Sequence, residues 1–186
     1  MKFKNKFWIT PPAMAVLAIA ALAGSALAEV RPQGNTGIAR ELANLKRTVS
    51  EMRQHADTLN SFTSSKQLSW QSHTERLSTL KEHMNEMGKS LAELEAMKST
   101  ASDTQALAIE HARPHLTSVA RNLTEAIELV NENRRNVYWS DYGEAVSDVY
   151  SHADALHTKL DAILDFDKAR ERLENLELEP RLLGQS

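Results

Sequence analysis

The chain has 186 residues, with 22 Lys and Arg against 25 Asp and Glu, a net charge of −3, seven His and no Cys. This balance leaves no basic face for neutralising phosphates, which argues against nucleic acid as a partner. Without cysteine there are no disulfides and no Cys-x-x-Cys-His haem attachment, so stability has to come from burial.

Residues 1–28 have the layout of a secretory signal. Lys2, Lys4 and Lys6 form a positive start, Ala13 to Ala23 is an apolar run, and Ser25-Ala26-Leu27-Ala28 offers small residues at a cleavage site. The pattern predicts cutting after Ala28 and a periplasmic or secreted product of a bacterial envelope. The alternative is an uncleaved anchor, because Phe7 to Ala28 is just long enough to span a bilayer; Pro11-Pro12 interrupts it. No second long apolar stretch follows, so no stable membrane insertion is expected once the signal is removed. Without Lys2, Lys4 and Lys6 the remainder carries −6, which suits a dispersed exported protein. Residues 29–35, with Pro32 and Gly34, read as a flexible leader.

Helix one is predicted over Thr36 to Phe62, capped by Asn35 or Thr36. Its apolar residues step by three and four: Ile38, Leu42, Leu45, Val49, Met52, Ala56, Leu59. That ladder is the seam of a helix packed lengthwise on others. After a polar turn at Ser61 to Gln67, helix two runs from Ser69 to about Lys98, with Trp70, His73, Leu77, Leu80, Met84, Met87, Leu91 and Leu94 in its seam. Ser102-Asp103-Thr104-Gln105 has the form of a capping box and opens helix three, which reaches about Arg135. Helix four starts near Ser140. Its expected seam is Tyr142, Val146, Val149, Ala153, Leu156, Leu160 and Ile163, continuing through Phe166, Leu173 and Leu176. Glu179-Pro180 is expected to end it, since proline disfavours helix in the residue before it.

Short connections force antiparallel neighbours. The expected fold is therefore all-α: an up-down-up-down four-helix bundle over residues 36–179, with coiled-coil-like helices about 40 to 57 Å long at 1.5 Å per residue, and a tail at 180–186. The alternative is a coiled-coil hairpin pair that completes its core as a homodimer. Folding the chain back at each turn puts Met87 level with His115, and His73 level with Ala56 to Leu59, Val130 and Val146.

A seam records packing, not chemistry, so few residues can carry more. His73 lies inside an apolar ladder. It is either a core histidine with a hydrogen-bond partner, such as Asp57 or Tyr150, or a ligand. Met87 with His115 could ligate haem iron inside a bundle; methionine in a seam is more often gap-filling core. His111 and His115, at i and i+4, put two imidazoles on one face, a spacing that binds zinc when further ligands converge. Pro114 between them removes an amide bond to Glu110. Gly88 costs helix stability and suggests close approach of another group or of a helix. Trp70, Tyr138, Trp139, Tyr142 and Tyr150 are expected to gather at one end, as a core plug or a ligand cleft. No hydrolase, kinase or nucleotide fingerprint occurs. The expectation is a non-enzymatic structural, adaptor or chaperone-like module that binds a protein partner or itself. The alternative is a carrier of haem, zinc or copper.

Overall fold

The computed structural model describes residues 35–65, 68–134, 137–138 and 140–183, with side chains as far as Leu176. Residues 1–34, which hold the expected signal and most of the expected leader, lie outside them, as do Trp139 and residues 184–186. Four α-helices follow in chain order: α1, Thr36–Thr63; α2, Trp70–Met97; α3, Asp103–Glu132; and α4, Ser140–Leu183. A single 3-10 turn, Lys98–Thr100, joins α2 to α3. There is no strand among the described residues, and none of their helices is long and apolar enough to cross a membrane.

The helix starts follow from local chemistry. Asn35 caps α1 through its side-chain oxygen, which accepts from the Gly37 amide at 2.8 Å. The capping box of α3 forms as its sequence predicts: the Gln105 amide donates to Ser102 Oγ at 3.3 Å and the Ser102 amide donates to Gln105 Oε1 at 3.1 Å. Each bond satisfies an amide that a helix start otherwise leaves unpaired. Gln105 does more than cap. Its Nε2 donates to the Asn35 carbonyl and its Oε1 accepts from the Asn35 amide, both at 3.2 Å. One side chain thereby ties the start of α1 to the start of α3.

The ladder of α1 is buried throughout, from Ile38 to Leu59. In α2, His73, Leu77, Leu80, Met87 and Leu94 are buried, while Trp70, Met84 and Leu91 are only partly so. In α4 the buried positions run Tyr142, Val146, Val149, Ala153, Leu156 and Leu160. All join one contiguous apolar core with the inner face of α3. Every helix packs on its neighbour in the chain, and α1 also packs on α4. Ion pairs bridge the rims: Lys46 with Asp161, Arg53 with Asp154 at 3.0 Å, Glu95 with Arg113 at 2.6 Å, and Lys98 with Glu110 at 2.6 Å.

Two expectations for α4 need correcting. Phe166, Leu173 and Leu176 are not seam residues; they are 64, 63 and 62 % exposed. The inward ladder runs on from Leu160 to partly buried Leu164 and buried Asp167. Phe166 is six residues beyond Leu160 and so points about a third of a turn away from it. α4 also continues past Pro180 to Leu183, because proline biases the preceding residue away from helix without forbidding it.

Candidate functional site

The polar group most deeply enclosed in the core is His73. It is fully buried, and its Nδ1 shares a hydrogen bond of 2.9 Å with the Tyr142 hydroxyl. This is the core histidine foreseen, but its partner is neither Asp57 nor Tyr150. Three aromatic rings surround the imidazole edge to face: Tyr142 at 5.4 Å, Phe62 at 5.8 Å and Tyr138 at 6.4 Å between centroids. The Tyr138 hydroxyl donates to the Leu68 carbonyl at 2.5 Å, and Arg134 stacks on Trp70 at 4.7 Å. Of the residues expected at an aromatic end, Tyr138 and Tyr142 gather around His73 together with Phe62 of α1, while Trp139 lies outside the described residues.

Burial lowers the His73 pKa below its ordinary value, and burial raises that of Tyr142. Both are held neutral, as a pair in an apolar environment must be. His73 Nε2 is buried without a hydrogen-bond partner. It is a free nitrogen, the kind of atom a metal or haem iron could use.

The second cluster lies between α1 and α2 and was not foreseen. His55 and His83 stack with centroids 5.2 Å apart and planes 20° from parallel. Arg76 Nη1 and His55 Nδ1 are 2.6 Å apart. A guanidinium can only donate, so His55 accepts and must be neutral. Burial, then the charges of Arg76 and His83, lower its pKa against the opposing effect of Glu51. Glu51 and Glu86 come within 3.8 and 3.9 Å of His83 Nδ1. Sequence spacing reveals i, i+4 pairs within one helix, whereas this cluster is assembled across two.

The remaining candidates are dispersed. Met87 is expected level with His115. Met87 is buried core. His115 instead lies 6.0 Å from His152 of α4. Burial, then Lys159, His152 and His111, lower its pKa, and its Nδ1 has no hydrogen-bond partner. His111 and His115 share one face of α3, but no group of three or more His, Cys, Asp or Glu among the described residues is arranged to hold a metal ion. Gly88 accommodates nothing: a Cβ there would meet no atom within 4 Å.

Comparison with protein-family models, with curated proteins and with solved structures returned no match to this chain.

Proposed function

We propose that this chain is an exported, non-enzymatic helical bundle that serves the bacterial envelope as a structural, adaptor or chaperone-like binding module. The observation that carries the reading is the distribution of apolar surface along α4. Its first half closes the core, while Phe166, Leu173 and Leu176 on its second half are about two-thirds exposed. Large apolar side chains gathered on one exposed helix face mark interaction surfaces. The buried polar groups meanwhile serve the fold: His73 bonds Tyr142, and His55 accepts from Arg76.

An up-down-up-down course suits the ion pairs. Along α1, Lys46 pairs with Asp161 and Arg53 with Asp154, so α4 numbers fall as α1 numbers rise; Glu95–Arg113 and Lys98–Glu110 do the same for α2 and α3. Support for export is the charge, apolar run and small residues of positions 1–28.

The second reading is a haem, zinc or copper carrier, favoured by the unpartnered Nε2 of buried His73. Protein purified from a bacterial periplasm should begin at Glu29, show no Soret band, hold no stoichiometric metal and gain no melting temperature from haem, zinc or copper. A ligand of the native state has to stabilise it, so a Soret band, bound metal or a ligand-dependent rise in melting temperature would establish the carrier instead.

A further inference from the structure

We propose that the outer stripe of α4 is where a second copy of this chain docks, α4 against α4, parallel and in register. This rests on reading that stripe as a binding face, and it names the partner. Ala162, Phe166, Ala169, Leu173 and Leu176 are all exposed. They step by four, three, four and three, the spacing of a heptad seam. Phe166 and Leu173 take the a positions; Ala162, Ala169 and Leu176 take d. The spacing is that of the core ladders, yet these residues face outward.

Charge flanking the seam identifies the occupant. Asp165 and Arg172 fall at g, and Arg170 at e. In a parallel pair, g of one helix meets e of the next heptad on the other. Asp165 thus faces Arg170 of the second copy, and symmetry supplies the same pair again. Arg172 takes the g position one heptad on. An antiparallel pair centred on the same seam would oppose Arg170 to Arg170 and Arg172 to Arg172, so the pattern selects parallel over antiparallel. Asp165 is available for the pairing: its side chain is 71 % exposed and only 3.7 Å contact with Lys168 engages it. Arg170 bonds Asp167 at 2.7 Å and has Glu174 3.8 Å from its Nε, which leaves donors of the five a guanidinium carries for a further carboxylate. Leu107 of α3, 45 % exposed, extends the apolar surface beside Phe166.

The test is sedimentation velocity of the purified protein over a concentration series, with variants. A monomer–dimer equilibrium is expected. The double variant Leu173→Glu, Leu176→Glu should be monomeric with unchanged helical circular dichroism, since both side chains are exposed in the single chain. Asp165→Arg should raise the dissociation constant several-fold, and adding Arg170→Asp should restore it. Because the chain has no cysteine of its own, Leu173→Cys reports geometry directly: mild oxidation should link two copies at this one position. A monomer at every concentration overturns the proposal. So does a dimer unmoved by the glutamates, or cross-linking only when Leu173→Cys is mixed with Ala169→Cys. These outcomes leave the exported-bundle reading standing. A bound cofactor would overturn that reading whether or not the chain dimerises.

Discussion

At the scale of single residues, the pairing of His73 with Tyr142 decides what a polar group in this core is worth. A buried hydrogen bond contributes little net stability, but an orphaned partner costs about 1–3 kcal/mol. Tyr142→Phe leaves His73 with both ring nitrogens unpaired and should destabilise by that amount. His73→Leu removes the buried imidazole but orphans the Tyr142 hydroxyl, so its effect should be smaller and of either sign. The double variant His73→Leu, Tyr142→Phe should return to within about 1 kcal/mol of the parent or exceed it, because two apolar groups then replace a matched polar pair. Urea unfolding of the four proteins checks this as a double-mutant cycle. A double variant that loses the sum of both single losses would mean that the pair is not one unit.

At the scale of the helix, seam and surface predict opposite results. Leu156 is fully buried, and Leu156→Ala should cost about 2–5 kcal/mol through lost transfer energy and the cavity left behind. Gly88→Ala should stabilise by about 0.5–1 kcal/mol, raising the melting temperature by about 1–4 °C, because glycine pays extra backbone entropy in a helix and the added Cβ meets nothing. Calorimetry of both variants checks the two signs together. The same contrast explains what the sequence could disclose. A 3-4 ladder is local, so α1 and α4 as far as Leu160 were legible, as was the Ser102 capping box. Past Leu160 the ladder of α4 divides: one stripe goes inward to Asp167 and the other outward through Phe166, Leu173 and Leu176. A one-dimensional pattern of apolar residues cannot say which stripe has a helix to face. Pairings across helices were illegible for a related reason. The turn residues set the register and the ladders do not, so spacing alone could not single out Tyr142 rather than Tyr150 as the partner of His73, nor place His152 of α4 beside His115.

At the scale of the whole molecule, the histidines should weaken the bundle in acid. His55 lies between α1 and α2, His73 in the aromatic end and His115 beside α4, and each has its pKa lowered, with burial the largest cause. The native state therefore binds fewer protons than the unfolded chain once pH falls below about 6.5, the ordinary histidine value. Stability from these groups is fully present above that pH and is lost as pH falls through their native values. The slope is at most about 1.4 kcal/mol per pH unit for each histidine, so roughly 4 for three. Asp161 and Glu110, whose pKa values are lowered chiefly by hydrogen bonds from Lys46 and Lys98, add to the loss only at lower pH, as their carboxylates protonate. Tyr142 acts at the other end: its pKa is raised by burial, so stability should fall above about pH 10, where the unfolded tyrosine ionises first. The urea midpoint should therefore be flat from about pH 7.5 to 9 and fall between 6.5 and 5. Substituting His55→Gln, which takes one titrating group from the α1–α2 interface, should make that acid-side fall shallower. A midpoint unchanged between pH 7.5 and 5 would mean that these imidazoles accept protons as readily in the bundle as in the unfolded chain, which is incompatible with a neutral His73 enclosed by Phe62, Tyr138 and Tyr142.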